Sequence, residues 1–195
     1  VIGEDDYRNV FYGLLAKQGL SQEGMMASKE RITTTKTRVI SNKQHLLRVD
    51  HEMTDPLHPG LEQDFINHID FVLSKTPVDA VIFEDYDKGM LTPAVIEAVV
   101  NKARAKGILT LVDPKKRNFL SYRHVDLFKP NFKELKEGLK LDIEKGDEQA
   151  LQEAAGRLKN LLQAGMVFVT LSELGGFIIN EESHHAVPAE IRDIT

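Results

Sequence analysis

Phe128-Lys129-Pro130-Asn131-Phe132-Lys133-Glu134 is the stretch on which the reading of this chain turns. The apolar run Val125 to Phe128 reads as a strand that stops at a proline, and a helix begins directly after it. Asn131 stands at the N-cap and Glu134 three residues on, the spacing of a capping box, in which each side chain satisfies a backbone N–H that the helix start leaves open. The same junction has a second use. Free N–H groups and the positive end of a helix dipole suit phosphate. A carboxylate beside bound phosphate can hold Mg²⁺ through water, because that ion keeps several waters and takes few protein ligands. A plain cap and a phosphate site write the same pattern here, so the surrounding sequence has to separate them.

On both sides of this stretch, strands and helices alternate. Leu61, Phe65, Ile69, Val72 and Leu73 form a helical stripe over Leu61 to Leu73. Ala80-Val81-Ile82-Phe83 is a continuous apolar run of the kind a parallel strand buried on both faces shows. Thr92-Pro93 opens a second helix through Val95, Ile96, Val99 and Val100, with Thr as cap and Pro in the first turn. Gly107 closes it before a strand over Ile108 to Val112. After the Val125 to Phe128 strand come the helix from Asn131, a longer helix from about Glu148 to Leu162, and a strand over Met166 to Leu171. This rhythm predicts an α/β fold with a doubly wound, mostly parallel sheet.

The N-terminal part is different. Val1-Ile2-Gly3 reads as the end of a buried strand, followed by a helix from about Asp5 to Lys17 with Val10, Phe11, Leu14 and Leu15 on one face, ended by Gly19. Glu23 to Lys29 is expected to hold a short strand. Thr33 to Ile40 and Gln44 to Asp50 flank Ser41-Asn42-Lys43 and read as a hairpin. Lys36, Arg38, Arg48, Asp50 and Glu52 are spaced by even steps within each strand, which places them on one face. That face is either simply solvated or lies over a small anionic or hydroxylated substrate, with Lys and Arg as donors. The segment 23–52 is therefore expected to be a β-ribbon, a lid appended to one domain spanning 1–195 rather than a domain of its own.

In open α/β sheets ligands sit outside the carboxyl ends of the strands. The residues there are polar throughout: Glu84-Asp85-Tyr86-Asp87-Lys88-Gly89, Asp113-Pro114-Lys115-Lys116-Arg117, Lys129 with Asn131, and Ser172-Glu173. Each could be an ordinary loop; together they make a site for a polyhydroxy or phosphorylated ligand with a metal. Gly175-Gly176 is first a turn between the strands Met166–Leu171 and Phe177–Asn180, and glycine also lets backbone approach a nucleotide. No Walker loop and no GxGxxG are present. The seven histidines lack metal-ligand spacing, and the adjacent pair His184-His185 would point to opposite faces of a strand.

Composition narrows the function classes. With 195 residues, 42% apolar and 28% charged, the chain suits one globular domain with a sizeable core. A net charge of −5 with scattered basic residues argues against nucleic-acid or membrane-surface binding. No apolar run is long enough to cross a bilayer, no signal peptide is seen, and the absence of cysteine fits a reducing cytoplasm. The chain begins Val1-Ile2-Gly3 without Met and stops at Asp193-Ile194-Thr195 after a strand-like stretch, so it reads as a piece of something longer, incomplete at both ends.

The order of these motifs resembles the ribokinase-like (PfkB) carbohydrate kinases. Val1-Ile2-Gly3-Glu4-Asp5-Asp6 is similar to their early Gly-x-Asp strand end and Asn131-x-x-Glu134 to their Asn-x-x-Glu motif. Val169 to Gly175 is similar to their nucleotide-contacting strand and turn. Asp193-Ile194-Thr195 resembles the opening of their signature Asp-x-Thr-Gly-Ala-Gly-Asp. Within the family, Thr33 to Ile40 with Gln44-x-Leu46-x-Arg48-x-Asp50-x-Glu52, Asp85-Tyr86-Asp87-Lys88-Gly89 and Asp113-Pro114-Lys115 are most similar to the D-glycero-β-D-manno-heptose 7-phosphate kinase branch, which is often fused to an adenylyltransferase.

The resemblance implies transfer of the ATP γ-phosphoryl group to a sugar hydroxyl, at O1 of heptose 7-phosphate in this branch, on a route to lipopolysaccharide precursors. Ribose, fructose or a fructose phosphate are the substrates of other branches, and a non-catalytic sugar- or nucleotide-binding module is a further alternative. By the same resemblance Asn131 and Glu134 organise Mg²⁺ and the phosphates, with Glu134 reaching the metal through water. Thr170, Ser172 and Gly175 meet the nucleotide, and Asp193 and Thr195 help hold a monovalent cation such as K⁺. Lys36, Arg38, Arg48, Asp85, Asp113 and Lys115 serve the sugar phosphate. The general base is expected just past Thr195, outside this chain. The resemblance also implies a homodimer paired through the ribbon.

Overall fold

The computed structural model describes residues 1–42 and 44–190. These fall into two compact units: Val1–Thr76 with Lys88–Met90, and Pro77–Asp87 with Leu91–Thr195.

In the first unit, strands β1 (Ile2–Gly3) and β2 (Ala27–Ser28) pair in parallel. The strand expected over Glu23 to Lys29 is thus only two residues long. Helix α1 (Asp6–Lys17) starts at Asp5, whose side chain accepts from the Arg8 amide at 3.2 Å and from the Thr33 amide at 2.7 Å. The Thr33 hydroxyl in turn accepts from the Gly3 amide. These bonds, the Thr33 amide first, hold the Asp5 carboxyl below its ordinary range. The apolar face expected on α1 is present in sequence but not buried: Val10 and Leu14 are exposed and no residue of the helix is enclosed.

Strands β3 (Thr35–Ser41) and β4 (Gln44–His51) form the expected hairpin, with Lys36 opposite Asp50, Arg38 opposite Arg48 and a bulge after Val39. Lys43, in the expected turn, lies outside the described residues. The even spacing does place the charges together. Lys36 Nζ is 3.1 Å from both Asp50 and Glu52, Arg48 Nε is 3.1 Å from Asp50, and Glu52 also takes Lys88 at 2.5 Å. The other face carries exposed Val39, Leu47 and Val49.

Below the ribbon, the Arg31 guanidinium donates to the carbonyls of Asp55 (2.9 Å), Lys88 (2.7 Å) and Met53 (3.4 Å). Gly89 sits in the left-handed region at φ +73°, and a Cβ there would overlap the Asp55 carbonyl. Helix α2 (Pro59–Lys75) buries Phe65 and Leu73 of the expected stripe.

The second unit holds a six-stranded sheet. Strands β5 (Ala80–Glu84), β6 (Leu109–Asp113), β7 (Leu127–Phe128) and β8 (Met166–Thr170) run parallel as consecutive neighbours, and β9 (Gly176–Ile179) and β10 (His184–Val187) extend it antiparallel. Helix α3 (Pro93–Ala105) begins at the expected Thr92 cap, α4 (Phe132–Leu139) at Asn131, and α5 (Glu148–Leu162) at Asp147. Apolar faces of α3 and α5 are buried together with Val112, Phe128, Val167 and Val169. One expectation is corrected. The run Ala80 to Phe83 is not buried on both faces: β5 is an edge strand, Phe83 is enclosed and Ile82 is 61% exposed. An apolar run marks a strand without saying what covers each of its faces.

The segment between β6 and β7 contributes Tyr122, fully buried, edge-on to Phe83 at 5.5 Å and tilted against Phe128 at 6.1 Å. Its hydroxyl donates to Asp85 at 2.7 Å. Burial, then this bond, push the phenol well above its ordinary range, so it remains a donor.

Two stability predictions follow from these contacts. Gly89→Ala incurs left-handed strain of about 1–3 kcal/mol and in addition drives a methyl into the Asp55 carbonyl, so its unfolding midpoint should fall well below that of the parent. Tyr122→Phe keeps the ring and leaves the buried Asp85 one donor short. Denaturant unfolding should show a loss of about 1.5–3 kcal/mol with an unchanged m-value.

Candidate active site

The parallel register brings the strand ends to one rim. Glu84 is opposite Asp113, Val112 opposite Phe128, and Asn131 bridges to Thr170. Backbone bonds continue past the strands: the Asp85 amide donates to the Asp113 carbonyl, that of Lys129 to Val112, and that of Thr170 to Pro130, at 2.9–3.1 Å. Residues far apart in sequence are thereby held side by side.

At the centre is the start of α4. The Glu134 amide donates to Asn131 Oδ1 and the Asn131 amide to Glu134 Oε2, both at 2.9 Å, so the capping box is complete. The other oxygen of Glu134 takes Lys115 Nζ at 2.6 Å, and the carboxylate side chain is only 14% exposed. The bond to Glu134 raises the Lys115 pKa; partial burial opposes the rise, and the charges of Glu134, Asp113 and Asp85 add to it. Next to it Lys129 pairs with Asp113 at 3.1 Å. At the rim, then, Lys115 holds Glu134 and Lys129 holds Asp113.

Asp85, which the resemblance assigns to the sugar phosphate, lies inside the fold. It is 4% exposed, and its oxygens accept from the Tyr122 hydroxyl and from the Asp87 amide at 2.8 Å. It braces the 85–87 turn, in which Asp87 takes a left-handed φ of +56° and stands 3.7 Å from Arg117. Sequence reading had no means of finding Tyr122, which lies in the polar stretch between two strands without any periodicity. Lys129 could be seen only as one of several polar residues after a strand.

Thr170 ends β8 beside Asn131. Ser172 (φ +54°) opens a single 3₁₀ turn, Ser172–Leu174, and Gly175 (φ +87°) leaves it. A Cβ on Gly175 would overlap the Val187 carbonyl, so folding alone already requires glycine there. His184 stacks on Phe177 with ring centres 5.7 Å apart. Asp193 and Thr195 lie outside the described residues.

Lys36, Arg38 and Arg48 belong to the other unit. Lys36 is occupied by Asp50 and Glu52, contacts that raise its pKa, Glu52 most. Arg48 shares Asp50, while exposed Arg38 makes no ion pair among the described residues.

Glu134 is the rim residue that could take a hydrated divalent cation. Each Glu134 oxygen already accepts one N–H, which leaves lone pairs for metal-bound waters, and Mg²⁺ is bound through oxygen with several waters retained.

The model of the pfkB family carbohydrate kinases matches residues 1–195. The chain is 36% identical over 197 residues to the bifunctional protein HldE of Wolinella succinogenes, covering all of this chain and 41% of that protein. It is 35% identical over 176 residues to HldE of Helicobacter pylori, covering 90% of this chain and 37% of the relative. The chain therefore spans about two fifths of the length of these curated relatives. Among solved structures, phosphofructokinase-2 from Escherichia coli in complex with fructose-6-phosphate superposes with a TM-score of 0.74 at 16% identity, over 100% of this chain and 63% of that one. Ribokinase from Giardia lamblia does so with a TM-score of 0.69 at 15% identity, over 99% and 58%. With its whole length matched by one family model and its strand, cap and rim arranged as described, this chain belongs to the pfkB family of carbohydrate kinases.

Proposed function

We propose that the protein transfers the ATP γ-phosphoryl group to O1 of D-glycero-β-D-manno-heptose 7-phosphate, on a route to lipopolysaccharide precursors. The observation that carries this reading is the charged rim around the Asn131–Glu134 capping box, set at the carboxyl ends of parallel strands where α/β folds bind ligands. Its narrower form, heptose 7-phosphate, is supported by the likeness to the HldE proteins and by the branch-like stretches in the ribbon, at Asp85–Gly89 and at Asp113–Lys115.

In this reading the sugar O1 attacks the γ-phosphorus, the bond to the ADP oxygen breaks, and the hydroxyl proton passes to a carboxylate in the signature that Asp193-Ile194-Thr195 opens. Such chemistry asks mainly for positioning and neutralisation of charge. Mg²⁺, when bound, supplies neutralisation of the phosphate oxygens. Glu134 and Asn131 orient that end of the nucleotide, and Thr170, Ser172 and Gly175 contact it along β8 and the following turn. Lys36, Arg38 and Arg48 bind the phosphate monoester; Arg38 makes no ion pair among the described residues, whereas Lys36 and Arg48 each already pair with Asp50. Asp113 serves the sugar hydroxyls, and Asp85 shapes the turn beside them. Asp193 and Thr195 are assigned to K⁺. The ribbon acts as a lid, and its exposed Val39, Leu47 and Val49 are the face assigned to pairing in a homodimer. No described helix is long and apolar enough to cross a membrane. With ATP and a sugar phosphate as substrates, the cytoplasm is the assigned compartment.

The test is ADP release by the full-length protein with a panel of sugars. Heptose 7-phosphate should be turned over with a kcat/KM at least about a hundredfold above ribose, fructose and fructose 6-phosphate; equal or higher turnover of one of those would move the protein to another branch. Glu134→Gln should lower kcat/KM about 10–100-fold and raise the Mg²⁺ concentration needed for half-maximal rate.

A further inference from the structure

We propose that Lys115 is an exchangeable counter-ion of Glu134: its ammonium holds the carboxylate while the nucleotide site is empty, and gives it up to a hydrated divalent cation when a nucleoside triphosphate binds. This rests on the reading of Asn131 and Glu134 as the metal-organising pair.

Glu134 is restrained in three ways. Two of them are the bonds of the capping box, in which the Glu134 carboxylate accepts from the Asn131 amide and the Glu134 amide donates to the Asn131 side chain; losing them opens the first turn of α4. The third, from Lys115, is made by a long side chain that is 42% exposed, so it can be released at little cost to the fold. Lys115 is the contact built to change.

Its position is that of a cation among carboxylates. Glu134 takes it directly, and Asp113 and Asp85 add their fields, while Lys129 balances only Asp113. Remove the ammonium and the rim is left with a surplus of negative charge, which is what attracts a divalent ion. A water in the shell of such an ion offers Glu134 the same O–H donor that Lys115 now offers as N–H. A second lone pair on that oxygen is open to a metal-bound water, but the ammonium and the metal are like charges so close that they repel, and this repulsion drives the exchange.

Release also gives Lys115 a use. The residue follows Asp113 and Pro114, so its backbone is anchored at the end of β6 and by a ring that fixes φ, and only the flexible stem has to move. An ammonium on such a stem is a mobile point charge suited to a phosphate oxygen. The incoming polyphosphate provides the acceptor, so the exchange conserves ion pairs: Lys115 with Glu134 becomes metal with Glu134 and Lys115 with phosphate.

The test uses the full-length protein and Mn²⁺ as the probe, read by electron paramagnetic resonance or calorimetry without nucleotide. Lys115→Met should bind Mn²⁺ about tenfold or more tightly than the parent, and Lys115→Arg, which keeps the charge, should not. Adding a non-hydrolysable ATP analogue should narrow the difference in Mn²⁺ affinity, and the analogue itself should bind Lys115→Met more weakly. Glu134→Gln placed in Lys115→Met should remove the tight Mn²⁺ site. Equal or weaker Mn²⁺ binding by Lys115→Met overturns the proposal, as does a tight site that survives Glu134→Gln. Lys115→Gln provides the same reading should the Met variant melt early. A protein that shows the exchange but no sugar-dependent ADP release would refute the kinase reading alone, because the Mn²⁺ measurement involves no turnover.

Discussion

The parallel register of β5 to β8 is the constraint on which the rest of the second unit depends. Side chains alternate faces along a strand, so a slip of one residue would turn Val112, Phe128 and Val167 out of the core. Burying those residues fixes the register, and the register fixes where each strand ends. Asp113, Lys115, Asn131 and Thr170 come to one level for that reason. The rim is a consequence of core packing, with charge placed on a level the apolar residues have already set.

Its charges do different work according to burial. Exposed pairs such as Lys36 with Asp50 contribute little to stability, because water screens them and the side chains lose freedom. Their effect is orientation: Asp50 and Glu52 hold Lys36 along the ribbon, and Glu52 connects it to Lys88. Asp85 is the opposite case. An enclosed carboxylate must be bonded or it is costly, and Tyr122 and the Asp87 amide meet that need. Glu134 lies between these limits, buried enough for its partner to matter and open enough for the partner to change.

Several elements were legible because their causes are local. The Asn131–Glu134 box, the Thr92-Pro93 start of α3, the span of α5 and the hairpin each depend on residues within a few positions, and each was found where expected. The shared face of Lys36, Asp50 and Glu52 also followed from a period of two. Elements that depend on distant partners were not legible. Ile82 belongs to an apolar run yet is exposed, because burial is set by what covers each face of the sheet, which an apolar run does not reveal. The stripe on α1 has the right period, but no pattern says whether another surface will cover it. Gly175 read as a turn that could also approach a ligand, whereas the crossing of Val187 is reason enough for glycine.

By itself, then, the sequence determined the α/β rhythm, the helix starts, the polar ribbon and the family, because propensity, capping and motif spacing act over a few residues and need no third dimension. Only the tertiary structure decided that Asp85 is a buried brace, that Tyr122 supports it, and that Lys115 is bound to Glu134. Those three facts join residues 37 and 19 positions apart, and contacts at such separations are set by how strands register and pack.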